Sequence, residues 1–159
     1  MPSERIVKNG SLVKADYTLS TEDGIVVDTS IGFEADNSGI LDSEREYKPI
    51  EIKVGSYETI KGLEDSLIGM KNNESKTFVI NPKDGFGERD KNKVKKVPKD
   101  LLKINHEPVV GQTIVLLHDN KTMLGIIKGV FKKEVIVDFN HPLAGKKLVC
   151  TIKVVKIYN

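Results

Sequence analysis

Between residues 13 and 19 (VKADYTL) apolar and polar side chains alternate, the period of a strand with one face buried and one exposed. Residues 21–24 (TEDG) read as a turn in which Gly24 is free to take positive φ, and IVV at 25–27 resumes the strand, so a hairpin is predicted. Residues 32–48 are polar and acidic without a sustained period and are expected to form a long loop. Alternation returns in PIEIKV at 49–54, with Ile50, Ile52 and Val54 on one face. The period then changes. Ile60, Leu63, Leu67 and Met70 stand 3, 4 and 3 apart, one stripe of a short amphipathic helix. SKTFVI at 75–80 is a further strand, stopped by Asn81 and Pro82.

The texture shifts at Asp90. Residues 91–98 (KNKVKKVP) read as a basic loop, and 99–103 as one helical turn after Pro98. Strand-like runs follow at 113–118, 122–131 and 134–139, separated by short polar turns, which predicts a small meander. Residues 140–145 (NHPLAG) form a second polar junction before a last long strand at 147–157. One helix beside several antiparallel strands predicts an α+β, mostly β fold. Charge follows the same division: residues 89–139 carry 11 Lys+Arg against 6 Asp+Glu, although the whole chain is only +2.

Composition narrows the function classes. With 159 residues, 38% hydrophobic and 30% charged, the chain is long enough to bury a core without metal or disulfide. Cys150 is the only cysteine, which fits a reducing compartment, and no apolar run approaches the ~18 residues of a membrane span. The polar N-terminus has no apolar leader, so a cytoplasmic protein without membrane contact is expected. His106, His118 and His141 stand 12 and 23 residues apart, without the close pair of a metal site, so no metal or other cofactor is expected. There is no G-x-S-x-G, and Gly85–Phe86–Gly87 is too short for a phosphate loop. The lysines at 91, 93, 95 and 96 have no interleaved aromatic and read as a solvated loop, so no nucleic acid is expected.

Six short stretches remain: VKADYT at 13–18, DGIVVDTS at 23–30, PIEIKVG at 49–55, IKGLE at 60–64, Gly69–Met70, and DGFG at 84–87. Each alone reads as ordinary hairpin, strand, helix start or turn. Together, in this order and spacing, they resemble the FKBP-type peptidyl-prolyl cis/trans isomerases, and most closely the SlyD-like and short archaeal branch. The resemblance runs from about Leu12 to Ile157. It implies an antiparallel half-barrel sheet wrapped on one short helix, formed by residues 1–88 and 140–159, with a small β domain at 89–139 inserted in the flap. It further implies a catalytic set of Tyr17, Asp28 and Phe86. Val27, Ile50, Thr59, Ile60, Leu63 and Cys150 would line the substrate pocket, with the Ile60 N–H binding a substrate carbonyl. The partners implied are unfolded or proline-containing polypeptides, with macrolide inhibitors as candidate ligands, and the protein is expected to be a monomer.

Small family members carry aromatics where this chain has Val27, Ile50, Leu63 and Cys150, and Phe86 takes a place usually held by Tyr. Weakened isomerisation is expected, and a degenerate pocket serving only as a binding module is the alternative. The insert is rich in apolar residues, among them Leu116, Met123 and Ile126, expected to form a surface for unfolded chains. They could equally form the insert's own core.

Overall fold

The computed structural model describes residues 5–158. Residues 1–4, the start of the polar N-terminal stretch, and residue 159 lie outside the described residues. Alternation near the N-terminus becomes β1 (Leu12–Thr21), whose inward positions Val13, Ala15, Tyr17 and Leu19 are all buried. The last strand, β9 (Leu148–Ile157), buries Leu148, Cys150, Ile152 and Val154 in the same way. The two pair antiparallel along nearly their whole length and form the centre of a five-stranded sheet.

On the far side of β9 lies β4 (Ser75–Ile80). On the far side of β1 lie two shorter strands, β2 (Val26–Thr29) and β3 (Ile50–Lys53). β3 pairs with Leu12–Ala15 and β2 with Thr18–Ser20, so the partner strands part at Asp16 and Tyr17. A buried backbone cannot be left unpaired without loss of stability. Ser30 completes the ladder: Tyr17 N–H donates to Ser30 Oγ (2.9 Å), and Ser30 N–H donates to the Tyr17 carbonyl (3.0 Å).

The stripe of residues 60–70 forms helix α2 (Lys61–Leu67), which buries Leu63 and Leu67 against the sheet, with Met70 buried just beyond its end. Gly62 permits this close approach. A Cβ there would stand 2.7 Å from Ile80 Cγ2 and 3.2 Å from the Asp84 carbonyl oxygen. The expected long loop at 32–48 instead opens with a helix, α1 (Gly32–Asn37). It buries only Ala35, so it has no apolar stripe from which a helical period could be read. The fold is thus α+β and mostly β, with two short α-helices among the described residues rather than one.

Residues Arg89–Ala144 form a second compact unit, so the return boundary expected after residue 139 falls after Ala144. Four antiparallel strands make its sheet, in the order β5 (Val94–Pro98), β8 (Glu134–Asp138), β7 (Lys121–Val130), β6 (Thr113–His118). Its core holds Val97, Leu102, Ile114, Ile127, Val135 and Val137. β5 corrects the expected basic loop at 91–98. It is an edge strand, so one buried residue, Val97, suffices to seat it while Val94, Lys95 and Lys96 stay exposed. The unit's entry and exit are clasped together. Asp90 N–H donates to Asn140 Oδ1 (2.9 Å), and Asn140 Nδ2 donates to the Asp90 carbonyl (3.1 Å) and to Asp138 Oδ1 (2.8 Å).

Candidate active site

Where β2 and β3 part, a polar wall is built. Asp28 lies opposite Leu19 in the β1–β2 register, which makes Tyr17 its diagonal neighbour on the same sheet face. The Tyr17 hydroxyl donates to Asp28 Oδ2 at 2.6 Å. Arg45 braces both: Nη1 donates to Asp28 Oδ1 (2.8 Å) and Nη2 to the Tyr17 hydroxyl oxygen (3.2 Å), while the guanidinium lies 5.0 Å from the Tyr47 ring centre. Burial, and then the Asp28 acceptor, push the Tyr17 phenol up to about 12, so it stays protonated and keeps donating at neutral pH. The bond to Asp28 raises the Arg45 pKa further above its already high value.

Arg45 was not foreseen in the sequence. It stands in a stretch without period, and its neighbours Glu44 and Glu46 suggest only a solvated loop. The available signal was chemical: an aspartate held near a buried tyrosine calls for a cation, and Arg45 with Tyr47 close behind offers a guanidinium and a ring for it to rest on.

The entry to α2 is organised by a buried carboxylate. Glu64 accepts from the backbone N–H groups of Gly55 (3.1 Å), Tyr57 (2.9 Å) and Thr59 (2.9 Å), and from the Thr59 hydroxyl (2.7 Å). Burial works to raise its pKa, but these donors, Thr59 foremost, more than offset it and hold the group below its ordinary value. Residues 55–59 are therefore pinned, and they deliver Ile60 to the position before the first helical turn. An N–H at that position has no partner within the helix. Of Thr59 only the methyl is left for an apolar lining, because its hydroxyl is committed to Glu64.

Val27, Ile50, Ile60 and Phe86 are half-buried and pack on the same core as Tyr17, Leu63 and Cys150. Leu63 and Cys150 are buried at 2% and 0% exposure, so they belong to the core on which these four side chains pack rather than to the surface. Burial pushes the Cys150 thiol up to about 12, which leaves no thiolate for nucleophilic chemistry at neutral pH. Among the described residues no group of three or more His, Cys, Asp and Glu side chains is placed to hold a metal, and no helix is long and apolar enough to cross a membrane.

The second unit has a groove of its own, about 690 Å³, lined by both edge strands of its sheet: residues 95–98 on one side and 115–117 on the other. Of the three residues expected to form a surface there, Leu116 and Met123 line this groove and are half-buried, whereas Ile126 is half-buried outside it. Val115 and Leu117, at 58% and 75% exposure, present more apolar surface than any of the three.

The six stretches read from the sequence are matched by wider comparison. A model of the FKBP-type peptidyl-prolyl cis-trans isomerases fits residues 3–105. The chain belongs to this family. One relative of this FKBP-type chain, the short-type peptidyl-prolyl cis-trans isomerase of Methanocaldococcus jannaschii, is 43% identical over 94% of this chain and 92% of its own length. The SlyD protein of Pasteurella multocida, named an FKBP-type peptidyl-prolyl cis-trans isomerase, is 32% identical over 95% of this chain and 68% of its own length. The FKBP-type 16 kDa isomerase of Escherichia coli is 28% identical over 95% of this chain and 93% of its own. The short archaeal branch thus accommodates this FKBP-type enzyme along almost its full sequence.

Proposed function

We propose that this FKBP-type isomerase rotates X–Pro bonds in unfolded or partly folded polypeptides, the pocket around Tyr17 and Asp28 acting on the bond and the groove of the second unit holding the chain. The reaction asks for little reactive chemistry. Amide resonance sets a barrier of ~18–20 kcal/mol, and the twisted transition state has lost that resonance and much of its polarity. An apolar surface that excludes water favours the twisted amide over the planar one. Val27, Ile50, Ile60 and Phe86 supply that surface, with Leu63 and Cys150 in the core on which they pack. The Ile60 N–H anchors a substrate carbonyl, and the fixed Tyr17–Asp28 pair sets preorganised dipoles beside the rotating one.

The observation that carries this reading is the Tyr17–Asp28–Arg45 network, held at 2.6–3.2 Å beside half-buried apolar side chains. A protease-free assay on a short X–Pro peptide tests it, and a rate no higher than background would sink it. A second reading, a holding protein with a degenerate pocket, draws on Phe86, which lacks the hydroxyl usual there. In that case the pocket neither accelerates rotation nor binds the macrolides proposed as its ligands.

The holding role draws support from the groove between two strand edges. Each edge strand is paired on one side only, so an extended segment can add to it through backbone hydrogen bonds while Val115, Leu117 and Met123 take its apolar side chains. Removing residues 91–137 behind a short loop should slow the catalysed refolding of a proline-limited protein. Equally fast refolding would dismiss the holding role and leave the isomerase reading intact.

A further inference from the structure

The groove of the second unit has a lining that is both apolar and basic. Lys95, Lys96 and Lys103 line it together with Val115, Leu117 and Met123, and among the described residues no aspartate or glutamate lines it. None of the three lysines makes an ion pair or side-chain hydrogen bond with another described residue. Two carboxylates of the unit are held in ion pairs away from these lysines: Asp138 is bound by Arg89 at 2.6 Å and Glu107 by Lys99 at 2.6 Å. The surplus is a property of the whole unit, which carries 11 Lys+Arg against 6 Asp+Glu, while the remainder of the chain carries 14 against 17.

We infer that the groove selects extended polypeptide segments in which aliphatic or aromatic residues are flanked by acidic ones. This rests on the reading of the groove as a chain-holding site and adds the chemistry of what it holds. Apolar burial supplies affinity that is indifferent to sequence, since any hydrophobic segment fills such a lining. Three unpaired ammonium groups add what apolar burial lacks. They attract carboxylates on the segment, repel lysines and arginines, and raise the encounter rate of acidic chains at low salt. Flexible lysines suit this purpose, because each ammonium can follow a carboxylate whose position varies from one client to the next. Single-stranded nucleic acid fits less well. Its bases need stacking platforms, and among the described residues of the lining Phe139 alone is aromatic.

Fluorescent peptides with one shared apolar core, flanked by Asp/Glu, by Ser or by Lys, test this on the full chain by anisotropy. The acidic peptide should bind about tenfold tighter than the serine peptide at roughly 0.01 M salt, and the lysine peptide weakest; the spread should collapse at about 1 M salt. In a Lys95→Glu/Lys96→Glu/Lys103→Glu variant, checked for folding by circular dichroism, the order should invert. Equal binding of the three peptides by the unaltered protein, or tightest binding of the lysine peptide, overturns the inference and leaves a charge-blind groove. Binding of none of them overturns the holding role as well. An oligothymidylate that binds tighter than the acidic peptide at equal salt overturns it in favour of nucleic acid.

Discussion

The two sites differ in how far the protein has already decided their geometry. Around Tyr17 each polar group is spoken for. The hydroxyl, the carboxylate and the guanidinium are bonded to one another, the backbone gap beside them is filled by Ser30, and the approach to Ile60 is pinned by Glu64. In the groove of the second unit the lysines are unpaired, two strand edges are open, and Leu117 is three-quarters exposed. Rotating one kind of bond rewards a site that need not reorganise at the moment of reaction. Holding varied acidic-flanked chains, the role proposed for the groove, would reward side chains left free to follow each of them.

The contrast can be broken most severely by removing one half of it. Excising residues 91–137 should lower catalysed refolding of a proline-limited protein on the order of 100-fold, since holding raises the effective concentration of a substrate bond near the pocket. Turnover of a short X–Pro peptide should change by less than about threefold. Equal losses in both assays would mean the excision damaged the pocket.

Within the fixed site, Asp28→Ala leaves Arg45 and the Tyr17 hydroxyl without their shared acceptor. Charged hydrogen bonds contribute about 1.5–3 kcal/mol, so kcat/KM on the short peptide should fall roughly 10- to 100-fold, with anisotropy of groove-bound peptides unaffected. An unchanged rate would put the rotating bond somewhere other than this wall.

Glu64→Gln replaces a carboxylate that accepts four donors by an amide that can accept fewer and adds its own N–H groups. It should destabilise the chain by about 1–3 kcal/mol in a denaturant titration. The pH dependence sharpens this. The folded pKa of Glu64 lies below the unfolded value, so its stabilisation is present above about pH 4.3 and is lost as pH falls through the folded pKa. The variant should therefore lose less stability than the wild type as pH falls from about 4.3 through the folded pKa of Glu64. An identical loss in both proteins would show that other carboxylates dominate acid unfolding.

The smallest effect is a gain. Phe86→Tyr restores a hydroxyl at the pocket and should raise kcat/KM by at most about tenfold, the worth of one hydrogen bond of ~0.5–1.5 kcal/mol. A decrease would mean the hydroxyl is buried without a partner.

The strands most legible in the sequence were short runs rich in apolar and β-branched residues and bounded by polar turns. SKTFVI became β4 at the expected residues, and TIVLLH became β6. Elements whose stability comes from elsewhere were hidden. α1 buries a single alanine, and β5 buries a single valine among lysines, so neither has a period to detect. The site shows the same limit. Tyr17 and Asp28 could be placed near each other because hairpin register is local. Arg45 stands 17 positions from Asp28 and 28 from Tyr17, in a segment with no pattern, and only the folded chain brings it there. Ile126 and Val115 show that the composition of the insert announced apolar surface without telling which side chains would carry it. Strand register decides that, and a register is a property of pairs.

The clasp between Asp90 and Asn140 has a consequence for how such a protein arises. Fifty residues of chain leave and return through one reciprocal pair of hydrogen bonds, so the second unit begins and ends at a single point. A segment whose ends already meet can be spliced into any host turn with little added loop-closure entropy. Gain, loss or exchange of the whole segment then asks little of the fold on either side of the clasp.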